Sequence, residues 1–88
     1  IWENHGSDYG VHYQVNCLIS QLGLKELSFI TKESLLEPAP QYAKSKIAAT
    51  WGCLNLGLLE CRSDIENLLM TSSWEPLRWT CAEVLRKL

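Results

Sequence analysis

The chain has 88 residues, enough for one small domain or a piece of a larger one. Eight Lys and Arg against ten Asp and Glu leave a net charge of −2, too balanced for general nucleic-acid or membrane-surface binding. No apolar run approaches the roughly 18 residues that a membrane span needs, and the polar, acidic first stretch does not read as a signal peptide.

Ile1 stands where a Met would begin a gene product, so a processed, cleaved or excised piece of something longer is expected. Residues 1–24 contain neither Lys nor Arg, while Arg78, Arg86 and Lys87 fall in the last predicted helix. Cations near a helix C-terminus complement its dipole, which accounts for that asymmetry. The four cysteines form no CxxC pair. Cys17, Cys53 and Cys81 lie within apolar helical stretches, where a reduced thiol acts as a small hydrophobe. Reduced thiols point to a cytoplasmic or nuclear setting.

Residues 1–8 read as a lead-in loop, with Ser7 or Asp8 placed to cap a helix. The first helix is predicted over 9–22 and ended by Gly23. A second covers 25–36, with Leu27, Phe29, Ile30 and Leu35 as its apolar positions. Glu37-Pro38-Ala39-Pro40 stops it, because a residue before proline is pushed out of the α region. A third helix covers 41–56 and closes at Gly57. Gln21-Leu22-Gly23-Leu24 and Asn55-Leu56-Gly57-Leu58 are near copies at corresponding helix ends. Ser63 and Glu66 form a capping box that begins a fourth helix, over 64–70. Ser72 and Glu75 offer a second box before a fifth helix over 74–88, with Pro76 in its first turn. No alternation of period two persists, so the fold class is all-α. Short connections make neighbouring helices antiparallel.

The helices repeat. Leu77, Cys81, Val84, Leu85 and Leu88 fall at i, i+4, i+7, i+8 and i+11. Val11, Val15, Leu18, Ile19 and Leu22 keep that spacing near the start of the chain. Ala43, Ile47, Trp51 and Leu54 carry a slightly degraded version halfway between. A helical stripe recurring at an interval within about 20–50 residues is the mark of stacked helical hairpins. The expected architecture is therefore a right-handed α-solenoid segment of five helices.

One position after the first anchor stand His12, Lys44 and Arg78. The stretch 74–88, with its polar turn, Leu77, Arg78, small residues and Leu85, resembles the second helix of a HEAT repeat; 41–49 fits more loosely. The resemblance covers residues 9–88 and extends to armadillo repeats. Arg78-x-Thr80-Cys81-x-x-Val84-Leu85 is also faintly similar to the solenoid of Rictor-type scaffolds of TOR complex 2. Such a resemblance implies a scaffold that binds proteins. Phycobilin lyases also use HEAT-like helices, which implies the alternative of a small enzyme subunit with a pocket near Trp79 and Cys81. A third reading is a helical bundle that self-associates through its first and last helices.

No residue pattern carries catalysis. His5, His12 and Cys17 lack metal-ligand spacing. No serine sits in a G-x-S-x-G context. Asp64 and Glu66 diverge by about 200° on a helix and cannot share a substrate atom. Neither cofactor nor metal is expected, and a small-molecule ligand is not. Trp51 falls in the apolar stripe and is expected in the core. Trp79 lies roughly 160–200° off its own stripe, facing a neighbouring layer or a partner. Exposed Trp, Tyr and Arg are favoured at binding hot spots. Tyr13, Lys44, Arg78 and Trp79 are the candidate partner-binding residues.

Overall fold

The computed structural model describes residues 9–37 and 43–88. Five α-helices follow one another: α1 (Tyr9–Leu22), α2 (Ser28–Leu36), α3 (Ala43–Leu56), α4 (Arg62–Thr71) and α5 (Glu75–Lys87). Among the described residues there is no strand. The lead-in loop with its Ser7 or Asp8 cap, the Pro38–Pro40 breaker, His5, and residues 41–42 of the expected third helix lie outside the described residues.

The end of α4 (Thr71) and both ends of α5 (Glu75–Lys87) lie within one residue of the sequence reading, while the starts of α2 and α4 differ more, for one reason. Short 3₁₀ turns, Lys25–Leu27 and Leu59–Cys61, precede α2 and α4, so these begin at Ser28 and Arg62. The turn before α4 runs straight into the helix. Cys61 N–H donates to Leu58 O and Arg62 N–H to Leu59 O. Ser63 therefore sits inside the first turn rather than at its edge, and the Ser63–Glu66 capping box does not form. The second box is also absent. Ser72 Oγ accepts from Trp74 N–H at 3.2 Å, while Glu75 turns to Arg78.

The helix stops work as glycine predicts. Gly23 (φ 63) and Gly57 (φ 68) adopt the left-handed conformation. That turn lets Leu24 N–H reach Ile19 O at 3.1 Å and Leu58 N–H reach Cys53 O at 2.8 Å. These are Schellman closures, which satisfy carbonyls left orphaned at a helix end. A Cβ at Gly57 would meet nothing within 4 Å, so substitution costs backbone strain alone. Gly57→Ala is expected to cost about 1 kcal/mol. In a thermal melt this appears as a fall of about 4–8 °C, with Gly57→Asn losing less because Asn tolerates this conformation.

α1 and its following 3₁₀ turn end at Leu22 and Leu27; α3 and its own end at Leu56 and Cys61, the same displacement for both. These two segments share their element boundaries. The apolar stripe of α3, however, is not the one its hydrophobic residues indicate. Ala43, Ile47, Trp51 and Leu54 are all only half-buried. The buried set includes Ser45, Ala49, Gly52, Cys53 and Leu56, two positions out of step. This set keeps the spacing i, i+4, i+7, i+8, i+11. It falls close to midway between the α1 stripe, which begins at Val11, and the α5 stripe, which begins at Leu77. Small residues fill it because α3 is the most enclosed helix, packed against α1, α2 and α5. Trp51 is consequently only half-buried, packing against the margin of the core rather than inside it.

The α1 stripe also departs from expectation. Ile19 is buried, Val11 and Val15 are half-buried, and Leu18 and Leu22 face solvent. The side of α1 that is buried carries His12, Asn16 and Ile19. Asn16 Nδ2 donates to His12 O at 2.9 Å and to Ser34 Oγ of α2 at 2.8 Å. A buried polar pair of this kind fixes the register of two helices. In α2, Ile30 and Leu35 are buried as expected and Leu27, just before it, is half-buried, but Phe29 is exposed and Thr31 and Ser34 are buried in addition. The α5 stripe holds: Leu77, Cys81 and Val84 are buried, Leu85 and Leu88 half-buried.

α4 packs on α5 and touches α2. Arg62 Nη1 donates to Leu85 O and Arg78 Nε to Leu69 O, both at 3.3 Å, clasping α4 and α5 at two levels. Lys32 and Glu60 pair at 3.0 Å across the outer surface. One continuous core links Ile19, Ile30, Leu35, Ala49, Cys53, Leu56, Ile65, Leu77, Cys81 and Val84 across all five helices. Among the described residues no helix is long and apolar enough to cross a membrane.

Candidate functional site

The offset in α3 has a surface consequence. Once Ala49 and Cys53 occupy the core, Trp51 between them turns outward. On α5, Trp79 lies between the buried Leu77 and Cys81 and is forced out in the same way. α3 and α5 are neighbours, so the two indoles meet: ring centroids are 6.5 Å apart with planes at 61°, an edge-to-face pair. Lys87, two helical turns after Trp79 on α5, holds its ammonium 5.9 Å above the Trp51 ring. The aromatic pair contributes about 0.5–1.5 kcal/mol beyond its buried area, and an exposed cation–π contact about 0.5–1 kcal/mol. Trp79 nonetheless remains 62% exposed. It presents a large flat apolar surface to solvent, braced at one edge by Trp51.

The other sequence-derived candidates are dispersed over three helices. Tyr13, on α1, is exposed, and the Cys17 thiol one turn on pushes its phenol up through a hydrogen bond to it. Lys44 is exposed at the start of α3. Arg78 is turned away from Trp79. Its guanidinium is bound to Glu75 Oε1 at 3.2 Å and to Leu69 O, on the side of α5 that meets α4. Arg78 is thus part of the clasp between two helices. Lys87 enters the cluster instead. In the sequence it counted as one of the terminal cations, but its position at i+8 from Trp79 was the legible sign that both share one side of α5.

Trp79 and Cys81 lie on different sides of α5. Adjacent-but-one residues on a helix diverge by about 200°, and Cys81 is wholly buried on the opposite side, beside the Thr50 hydroxyl. Burial pushes the Cys81 thiol up, the direction that suppresses the nucleophilic thiolate. Burial likewise pushes up Cys53 and Cys61, which lie against one another at the end of α3 and the turn before α4. All four cysteines are free thiols, Cys17 half-buried. Among the described residues, no group of three His, Cys, Asp or Glu side chains converges as metal ligands would.

No protein-family model matches the chain, and no curated protein is detectably similar to it in sequence.

Proposed function

We propose that this chain is a short run of stacked helical hairpins, an α-solenoid segment of HEAT or armadillo type, and that it serves as a protein-binding scaffold in a larger cytoplasmic assembly. The observation carrying the reading is the i, i+4, i+7 buried spacing shared by α3 (Ser45, Ala49, Gly52) and α5 (Leu77, Cys81, Val84), with α1 and α3 each followed by a 3₁₀ connector at one displacement, Leu22 and Leu27 against Leu56 and Cys61. Side-chain contacts support an antiparallel hairpin of α4 and α5. Arg62 with Leu85 and Arg78 with Leu69 have the same index sum, as two helices running in opposite directions require. Asn16 with Ser34 ties α1 to α2, and Thr31 lies beside Gly52 where α2 meets α3. Within the α1, α3 and α5 layer Ser20 meets Asn55, and Trp51 meets Trp79 and Lys87. The molecule is 17 Å thick in its shortest dimension, the depth of two helix layers about 8–10 Å apart.

Such a slab holds side chains on the α1, α3 and α5 layer at fixed separations, so ordering them on a partner costs little entropy. Tyr13, Lys44 and Trp79 supply one exposed contact from each helix, and Trp79 is the anchor. The test is site-specific photocrosslinking in extract of the cells that make the protein. A benzophenone at Tyr13, Lys44 or Trp79 is expected to give one shared protein adduct that the same group at Ser63 of α4 does not. No macromolecular adduct, or equal yield from Ser63, overturns the reading.

A further inference from the structure

Cys53 and Cys61 are neighbours because the backbone holds them so. Leu58 N–H donates to Cys53 O at 2.8 Å, and Leu58 O accepts from Cys61 N–H at 3.0 Å. One residue thus staples the last turns of α3 to the 3₁₀ turn that follows. The segment of α1 has the same staple: Leu24 N–H on Ile19 O at 3.1 Å, and Leu27 N–H on Leu24 O at 3.0 Å. There the two stapled positions are Ile19 and Leu27, an apolar pair, so packing at this corner needs no sulfur. After α3 both positions are cysteine, and the two thiols are in hydrogen-bonding contact. They are 0% and 2% exposed, within the continuous core. The other two thiols face oxygen: Cys17 the Tyr13 phenol, and Cys81 the Thr50 hydroxyl. The cover over the pair is thin. Glu60, next to Cys61 in the turn, pairs with Lys32 of α2 at 3.0 Å, and both side chains are exposed. Ion pairs this exposed contribute little, and a single 3₁₀ turn has poorer hydrogen-bond geometry than an α-helix. The turn therefore opens more readily than the helices around it.

We infer that Cys53 and Cys61 are a redox-sensitive dithiol, oxidised by hydrogen peroxide to an intrachain disulfide that ties the end of α3 to the start of α4. In the closed molecule burial pushes both thiols up and keeps them from ionising. Reaction begins when the Leu59–Cys61 turn opens. Cys61 rides on that turn and meets water first. Once its burial is relieved, the nearby Lys32 ammonium favours its thiolate. The Cys61 sulfur attacks one peroxide oxygen, the O–O bond breaks, and the departing hydroxide leaves as water with the thiol proton. Cys61 is then a sulfenic acid. When the turn closes, the Cys53 sulfur attacks the Cys61 sulfur and the S–O bond breaks. The hydroxide leaves as a second water with the Cys53 proton. Two thiols are oxidised and one peroxide is reduced to two waters. The new bond spans the Gly57 turn that sets the direction of α4, so it fixes the α4–α5 hairpin on α3. This holds whether or not the Trp79 surface takes a partner.

The test is hydrogen peroxide treatment of the reduced chain, in water and in urea, followed by alkylation with a maleimide in denaturant, trypsin and mass spectrometry. Lys46 and Arg62 bound a tryptic fragment, residues 47–62, that carries both cysteines. In water this fragment is expected to lose two hydrogens and take up no maleimide, while Cys17 and Cys81 are alkylated. In urea, where no fold holds the pair together, all four cysteines are expected to share the oxidation. In Cys53→Ala the reaction is expected to stop at a Cys61 sulfenic acid, which dimedone traps. In Cys61→Ala, Cys53 is expected to remain a thiol. The disulfide closes a loop of nine residues. It is expected to raise the melting temperature by about 10 °C, through the lost entropy of the unfolded chain, and a thiol reductant reverses the rise. A fragment 47–62 that takes up two maleimides after peroxide in water overturns the inference. So does the same mixture of pairings in water and in urea. A disulfide that lowers the melting temperature also overturns it, since thiols that the fold does not bring together bond only by distorting it.

Discussion

Leu56→Ala is expected to lower the unfolding free energy by about 3 kcal/mol, against about 1 kcal/mol for Leu54→Ala. In a domain of this size the first loss lowers the melting temperature by about 15 °C and the second by about 5 °C. Both substitutions delete the same atoms from the same turn of α3, so helix propensity and transfer free energy nearly cancel in the comparison. What differs is position. Leu56 is 2% exposed and closes the buried set of α3, just before the Gly57 turn. Leu54 lies two positions back, half-buried beside the Trp51 side of the helix. Truncating Leu56 leaves a cavity that α1, α2 and α5, all packed on α3, cannot close together. Solvent and neighbouring side chains relax into the space left by Leu54. Urea unfolding of the two variants, with unchanged m values, measures the difference. A larger loss from Leu54 than from Leu56 would return α3 to the Ala43–Ile47–Trp51–Leu54 stripe and remove the repeat register.

That register was the part of the fold the amino-acid sequence concealed. α1 ends where Gly23 dictates, and α3 where Gly57 dictates, because a left-handed residue has a local cause. The α5 stripe is legible because its buried positions are filled by Leu77, Cys81 and Val84, which hydrophobicity scores highly. α3 is illegible for the opposite reason. Its buried positions are Ser45, Ala49 and Gly52, chosen for small volume at a crowded junction, while its larger residues sit at the margin. A hydrophobic pattern reports what a side chain gains from leaving water, and it is blind to how close two helix backbones must approach. The capping boxes failed differently. Ser63 and Glu66 have the right spacing, but a 3₁₀ turn entering α4 already supplies Leu58 and Leu59 carbonyls to the first amides.

The candidate surface inherited both outcomes. Trp79 and Tyr13 were readable as exposed because they fall off their stripes whichever register applies. Trp51 was misassigned to the core by the same slip of two positions, so its pairing with Trp79 and Lys87 had no signal until the slip was removed. Arg78 has the residue type of a hot spot, but Leu69 O and Glu75 lie within its reach, and its contacts hold the hairpin together. Side-chain type alone cannot separate those roles, since an arginine fork satisfies a backbone carbonyl as readily as a partner's carboxylate.

Gly52→Leu is expected to destabilise the protein by about 3 kcal/mol, the upper end of the usual cost of overpacking. A Cβ placed on Gly52 would lie 3.4 Å from Thr31 Cγ2, 3.7 Å from Thr31 Oγ1 and 3.8 Å from Ser20 Cβ. One methyl group therefore fits in ordinary contact, and Gly52→Ala is expected to gain about 0.5–1 kcal/mol by removing a mid-helix glycine. The three further carbons of leucine have no space between α2 and α1, and they force those helices apart. At the equivalent repeat position on α1 stands Leu18, 53% exposed; there leucine already exists without cost, and Leu18→Ala is expected to change stability by no more than about 0.5 kcal/mol. The opposite tolerance of equivalent positions follows from what surrounds them: α3 is covered on that side and α1 is open. Thermal melts of Gly52→Ala, Gly52→Leu and Leu18→Ala measure the contrast. Equal losses from leucine at 52 and alanine at 18 would mean that α1 is buried as deeply as α3 on that side.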